Sequence, residues 1–376
     1  SSTFSSCVME EKSTCFKCIQ SQCLKMNRQE LQTSTASEVR RMIEAYQKSL
    51  TDVLRNKANS YEMLTRLGGS ERRNVYKAKD VAHDQTVVVK EILCSSLMEV
   101  TELSLDLIRY QQLNNSNICK VVDSYGVSGR VPNEFFFAIV MEYLPYPTLR
   151  SKIQGGWIST EKEFLTITAQ SLSALEVMQK SEVSHQDIKP ENFLYASSEK
   201  IFIIDLLDGI PNSSHIRGAR TYLSPTLERA ISSQRTSVSH DPFKSDVFSL
   251  GLVLLECLTG KSIDGLNLSA QKIDEVLESI RCKATNPIIP VLLADMLQFE
   301  EEKRPDFCTL TTKYYHQLLQ ELKQSPELEK EDSLRSASTM ATSNSELTID
   351  ESSYPTNASS LQNLDSSAGR RSRRSS

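Results

Sequence analysis

Tryptophan occurs once in 376 residues, histidine 5 times and glycine 12 times. No apolar run is long enough to span a bilayer. The longest, Val247–Leu258, falls short of the roughly 20 residues a membrane helix needs and contains Glu256, so it reads as a buried core helix. Glycine stands at about half its usual share, so a cluster of glycines signals a turn or a close backbone approach. Excess positive charge is also missing. With 43 Lys and Arg against 48 Asp and Glu, the net charge of -5 gives no electrostatic case for nucleic acid or an anionic membrane as main partner. The 9 cysteines follow no small disulfide framework, which points to a reducing, intracellular compartment. No charged-then-apolar leader is seen, and the chain starts at Ser1 without a methionine, as a fragment or a processed form would. A composition of 39% hydrophobic and 24% charged residues is ordinary for a globular protein, and the length suits one two-lobed domain with extensions, or two domains.

What is present changes along the chain. Residues 1–33 are polar, with Cys7, Cys15, Cys18 and Cys23 close together. Residues 34–60 carry an amphipathic helix. Val39, Met42, Ile43, Tyr46, Leu50, Val53 and Leu54 recur at three- and four-residue spacing, and Thr35 and Glu38 stand as a capping box. From Tyr61 short β-type runs appear at 74–78, 86–92 and 134–141, interrupted by one helix at about 97–113. Beyond Pro147 helices are expected at 161–180, 244–259, 271–282, 288–298 and 307–322, with a small β pair at 193–196 and 200–205. A β-rich lobe (61–144) followed by a helical lobe (145–322) is an α+β arrangement with a cleft between. Residues 323–376 are rich in Ser, Thr, Glu and Asn and read as a disordered tail, closed by Arg370-Arg371-Ser372-Arg373-Arg374.

The strongest chemical signal is His185-Gln186-Asp187-Ile188-Lys189-Pro190-Glu191-Asn192. Phosphoryl transfer asks for an oriented hydroxyl, a cation near the transferring group and a held divalent metal. Asp187 supplies a proton acceptor, Lys189 a cation and Asn192 a metal ligand. A second carboxylate, Asp205, follows the apolar strand 201–204 and suits magnesium bridging nucleotide phosphates.

These residues resemble the catalytic loop and metal-binding motif of the eukaryotic protein kinases, serine/threonine branch. The resemblance runs over about 260 residues, from Tyr61 to Leu322. It implies the two-lobed kinase fold and transfer of the γ-phosphate of Mg-ATP to hydroxyls of a protein substrate. Asp187 and Lys189 would be catalytic, and Asn192 and Asp205 would hold Mg²⁺. Lys90, ending Val87-Val88-Val89-Lys90, would pair with the nucleotide phosphates. Leu67, Gly68, Val75, Val88 and Leu194 would line the nucleotide, and Met141-Glu142-Tyr143-Leu144 would be the hinge, with Glu142 and Leu144 bonding adenine. Asp106 aligns with the carboxylate that partners the lysine, with Glu102 one turn earlier. Asp246 and Arg304 align with structural residues of the large lobe.

The chain departs from that pattern at several places. Gly68, Ser70 and Arg73 stand at the three glycine positions of the phosphate loop, so only the first is kept. The metal motif reads Asp205-Leu206-Leu207, which implies a stiffer segment after Asp205. Gln186 replaces an arginine that in many kinases binds an activating phosphate. Thr226 replaces a glutamate expected to pair with Arg304, leaving Glu228 as its substitute. Ala219 replaces a threonine near the substrate, with Thr221 as stand-in. The competing reading is a kinase-fold scaffold that binds partners without catalysis. At the N-terminus, Cys7, Cys15, Cys18 and Cys23 could hold one Zn²⁺ and faintly resemble part of a B-box finger. The simpler reading is four unpaired thiols, since no histidine precedes His83.

Overall fold

The computed structural model describes residues 60–324, apart from 71, 95–98, 100–102, 105–106, 108, 129–134, 157–159, 206–215 and 217. The cysteine segment with its zinc reading, the helix expected at 34–58, and the tail from 325 lie outside the described residues. So do Asp106, Glu102, Leu206 and Leu207.

The chain divides into two compact units. Of the described residues, the first holds those from Ser60 to Arg66, then those within Arg72–Gln111 and Val121–Glu142. Five strands form one sheet: β1 (Tyr61–Ser70), β2 (Arg73–Asp80), β3 (Gln85–Cys94), β4 (Val121–Ser128) and β5 (Phe135–Glu142). Their order is β1-β2-β3-β5-β4, with antiparallel β2–β3, β3–β5 and β4–β5 pairs. The runs expected at 74–78, 86–92 and 134–141 correspond to β2, β3 and β5. β1 and β4 were not anticipated, because YEMLTRLGGS and VVDSYGVS lack the period-two alternation that marks a half-buried strand. The Tyr61 ring stacks on Tyr125 with centroids 5.5 Å apart, and its hydroxyl donates to Asp123 at 3.1 Å, so the start of β1 is tied to β4. Between β3 and β4, Leu103, Leu107 and Tyr110 are helical and buried, the spacing of one helix face.

The second unit is helical. In chain order it contains α1 (Leu149–Gln154), α2 (Glu161–Lys180), the hairpin β6 (Phe193–Ser197) and β7 (Lys200–Ile203), α3 (Pro225–Ser232), α4 (Pro242–Thr259), α5 (Ala270–Arg281), α6 (Ile288–Met296) and α7 (Phe307–Gln324). Single 3₁₀ turns occur at Pro190–Asn192, Arg220–Tyr222 and Leu266–Leu268. α4 contains the apolar run noted above and is buried from Ser245 to Cys257. Asp241 caps its start by accepting from the N–H groups of Phe243 and Lys244, Pro242 occupies the first turn, and Gly260 ends it in the left-handed region. Gly251 lets α6 come close: a Cβ there would lie 2.9 Å from Leu297 Cδ2. α7 is fixed to the end of α2 through Gln179, which donates to Asp306 and accepts from Phe307 N–H at 2.9 Å. The five helices expected in this unit are found with ends shifted by a few residues. α1 and α3 were missed because six and eight residues are too short to show a period. Among the described residues, no helix is long and apolar enough to cross a membrane.

Candidate active site

The loop leaving α2 reverses direction at Glu182 (φ 58°) and again at Gln186 (φ 60°). The second reversal turns two successive N–H groups toward one carboxylate. His185 N–H donates to Asp246 Oδ2 at 2.7 Å and Gln186 N–H to Oδ1 at 2.9 Å. Asp246 sits in the first turns of α4, so the most buried helix of the unit carries the loop. Burial pushes its carboxyl up to about 7, against the pull of those two donors, and the nearby charge of Asp187 adds to the rise. His185 is fully buried and makes a second tie: Nδ1 accepts from Asp187 N–H at 3.3 Å while Nε2 faces Ile204 O at 3.1 Å, which assigns the proton to Nε2.

Asp187 is thereby presented with its carboxylate almost fully engaged. Oδ2 accepts from Lys189 Nζ at 2.7 Å and from Asn192 Nδ2 at 3.1 Å, and Oδ1 accepts from Ala219 N–H at 3.1 Å. Asn192 Nδ2 also donates to Asp187 O at 2.7 Å. The amide of Asn192 is thus locked by its nitrogen, while its oxygen is buried and has no hydrogen-bond partner among the described residues. A buried amide oxygen left unmatched costs free energy unless something else fills its lone pairs, and a hard cation suits it.

The hairpin brings Asp205 to the same end as Asn192. Phe193 pairs with Ile203, so Asn192 directly precedes β6 where Ile204 and Asp205 directly follow β7, and Ile204 N–H donates to Asn192 O at 3.0 Å. Asp205 holds φ at 63°, a conformation that costs a non-glycine residue about 1–2 kcal/mol and is typical of functional positions. Asn192 and Asp205 are both oxygen donors, the chemistry magnesium takes. Among the described residues no group of three or more His, Cys, Asp and Glu forms a self-sufficient metal cage. The four N-terminal cysteines lie outside the residues so compared, and magnesium takes one or two protein oxygens plus phosphates and water.

In the first unit the sheet register groups the nucleotide candidates. Val75 lies opposite Lys90 across β2–β3, and Val88 opposite Met141 across β3–β5. Directly paired residues, and residues two apart on a strand, share a face, so Val75, Val88, Lys90 and Met141 lie on one face of the sheet. Lys90 and Val88 are buried. Leu67 on β1 is buried, Gly68 follows it, and Glu142 ends β5 ahead of Leu144. Leu194 on β6 is buried in the second unit. The hairpin between β1 and β2 is tight, with Gly69 at φ 139° and strand resuming at Arg73. Arg72 at its tip bonds Leu93 O at 3.1 Å and pairs with Glu99 at 3.3 Å.

Comparison with known proteins decides the family. The family described as protein kinase domain matches residues 61–318. This chain belongs to the protein kinase family. Among curated proteins, the serine/threonine-protein kinase PrkC of Bacillus subtilis is 29% identical over 258 residues, which covers 65% of this chain and 38% of PrkC. The probable serine/threonine-protein kinase PknB of Lactococcus lactis is 25% identical over 253 residues, covering 64% of this chain and 38% of its own length. The serine/threonine-protein kinase PknB of Mycobacterium leprae is 27% identical over 219 residues, covering 54% and 33%. The aligned part is therefore well under half of each relative. The fold is the two-lobed α+β fold of protein kinases.

Two substitutes suggested for this chain's altered segment do not serve as such. Glu228 does not reach Arg304. It is buried and grips Arg220 in three hydrogen bonds of 2.6–3.0 Å within the segment. Arg304, 1% exposed, donates instead to three carbonyls, those of Gln298 at 2.9 Å, Lys244 at 3.0 Å and Phe299 at 3.2 Å, and lies over the Phe248 ring. Thr221 does not replace the missing threonine, since its hydroxyl donates to Asp264 at 3.2 Å. The contact to Asp187 is made by the backbone of Ala219, which needs no particular side chain. Gly218 makes that approach feasible. Its φ is 98°, and a Cβ there would stand 2.9 Å from Gln186 O and 3.2 Å from Leu223 Cδ2. Gln186 turns its own amide back to Ser184 Oγ at 2.8 Å. Sequence reasoning missed Gly218 and the backbone of Ala219. A glycine before the segment's turn, in a chain with so few, was the available signal.

Proposed function

We propose that this chain is an ATP-dependent protein serine/threonine kinase that transfers the γ-phosphate of Mg-ATP to a protein hydroxyl. The observation that carries the reading is the locked Asn192 amide with its unmatched buried oxygen, beside an Asp187 whose carboxylate is oriented by Lys189, Asn192 and Ala219. Asp187 orients the acceptor hydroxyl and takes its proton. Lys189 supplies positive charge where the transferring group gains negative charge, and Lys90 does so for the remaining phosphates. Asn192 and Asp205 would hold magnesium, which when bound neutralises the phosphate oxygens. Val75, Val88, Met141 and Leu194 would face the nucleotide base. Lys189, two places after Asp187, favours Ser and Thr over Tyr as acceptors.

Labelled γ-phosphate transfer from Mg-ATP to the protein itself and to a generic basic protein tests the reading, with Asp187→Asn and Asp205→Asn alongside. Transfer that disappears in both variants supports it. No transfer above the variants from a folded protein, with magnesium or manganese, would replace it with the scaffold reading.

A further inference from the structure

Arg150 enters the large lobe on α1, where Thr148 caps the helix by accepting from Ser151 N–H. Its guanidinium is shared three ways. Nε donates to Glu191 Oε1 at 2.8 Å, Nη1 to Glu256 Oε1 at 2.5 Å, and Nη2 to the Tyr222 hydroxyl. The Tyr222 hydroxyl donates onward to Glu256 Oε2 at 2.5 Å. The three partners come from distant parts of the chain. Glu191 lies in the Pro190–Asn192 turn, four residues after Asp187. Tyr222 closes the Arg220–Tyr222 turn, three residues after the Ala219 N–H that rests on Asp187. Glu256 comes from α4, the buried helix that also carries the catalytic loop through Asp246. The Tyr222 carbonyl accepts from Ser249 Oγ of α4 at 2.7 Å, so that residue is fixed at both ends. Burial, and then the bond to Glu256, push the Tyr222 hydroxyl far above its ordinary range, so it remains a donor.

One cation between two carboxylates, with side chains 21%, 32% and 10% exposed for Arg150, Glu191 and Glu256, is a costly way to gain stability. Apolar residues of like volume often do as well. What the planar fork adds is geometry, since its donors leave at fixed angles. Glu191 and Tyr222 flank Asp187 on its two sides, one along the loop and one along the segment that contacts it.

We propose that Arg150 is a positioning residue for the protein substrate: it joins the Gly218–Leu223 segment to the catalytic loop and so keeps the surface beside Asp187 in one shape. This rests on the kinase reading above and deepens it on the acceptor side of the reaction. None of the three groups Arg150 holds is a residue assigned to the nucleotide.

The test uses Arg150→Lys, which keeps a cation between the two carboxylates but loses the fork, and Tyr222→Phe, which removes only the hydroxyl. Tyr195→Phe is the control, because Tyr195 bonds Glu163 elsewhere in the same lobe. Three quantities are read: phosphate transfer to a degenerate Ser/Thr peptide mixture, Mg-ATP hydrolysis without peptide, and amide exchange of residues 218–223. Both test variants are expected to lower kcat/KM for peptide about tenfold, the scale of one lost charge-assisted hydrogen bond, and far more than they lower hydrolysis. Exchange at 218–223 should quicken, and the double variant should fall short of the product of the two single effects. Tyr195→Phe should do none of this. Parallel losses of transfer and hydrolysis, or unchanged exchange, would overturn the proposal. If the wild type transfers nothing, the kinase reading fails by itself, and exchange alone decides whether Arg150 holds the segment.

Discussion

Gly218→Ala isolates the approach of the segment to the catalytic loop. Residue 218 has φ at 98°, where an L side chain is strained, and the added Cβ meets Gln186 O at 2.9 Å and Leu223 Cδ2 at 3.2 Å. The leucine methyl has room to rotate. The Gln186 carbonyl has not, because the peptides around it are held by Asp246 and its own φ is already positive. The left-handed conformation costs alanine about 1–2 kcal/mol, and the backbone clash adds an amount of the same order, so the native placement loses roughly 2–3 kcal/mol. The segment has a cheaper escape, which is to lift away from the loop. Ala219 N–H then leaves Asp187 Oδ1, and the carboxylate keeps two of its three donors. At about 1.4 kcal/mol per decade, the native placement becomes roughly 30- to 150-fold less populated. The assay is peptide phosphorylation beside a thermal melt. Transfer should fall by about the same factor, while global unfolding moves little, because the lifted segment leaves the helical core intact. Full transfer by the alanine variant would refute the argument that the Ala219 contact orients Asp187.

Three further outcomes are expected. Arg304→Lys cannot serve three carbonyls and a ring face at once, so it should lower unfolding stability by about 2–4 kcal/mol in a urea titration, and an unchanged midpoint would contradict the bracing role. Arg220→Ala leaves the buried Glu228 carboxylate with only Ser232 as side-chain partner among the described residues, and should cost about 1–2 kcal/mol. Adding Glu228→Gln should recover part of that loss, and a second loss on top would show that the buried charge was not the cause. Asp246 carries a pH signature. With its carboxyl pushed up to about 7, the folded protein keeps a proton that the unfolded chain releases near pH 4. Stability supplied by this residue therefore falls as pH rises from about 4 to 7, by at most about 1.4 kcal/mol per unit. Asn has no such titration, so the difference in unfolding free energy between wild type and Asp246→Asn should shrink across that window. A constant difference would place the carboxyl at its ordinary value.

The cluster around Asp187 was legible because its residues are close in sequence. Asp187, Lys189 and Asn192 lie within six positions, and the strand 201–204 announces Asp205. The common face of Val75, Val88, Lys90 and Met141 follows from period two once β2, β3 and β5 are recognised. Pairings across long separations were not legible. Glu228 was offered to Arg304, but Arg220 lies eight residues away and takes it first. Arg150 joins residues 41, 72 and 106 positions away, and no local pattern announces such a cluster. Glu256 alone gave a hint, as a carboxylate inside an otherwise apolar helix. β4 was hidden because Val122 and Asp123 break its alternation, and a register shift falls between Val121 and Asp123.

The two anchors that replace the expected Arg304 ion pair respond differently to solvent. Carbonyl oxygens do not titrate, and a buried contact to them is little affected by dissolved ions. The brace around Arg304 therefore gives acid and salt no handle. The anchor of α3 is an ion pair whose arginine side chain is 63% exposed, so dissolved ions reach and screen it. High salt should therefore loosen the segment anchored by Arg220 and Glu228 while the helical core stays folded, so the two anchors separate along an ionic-strength axis.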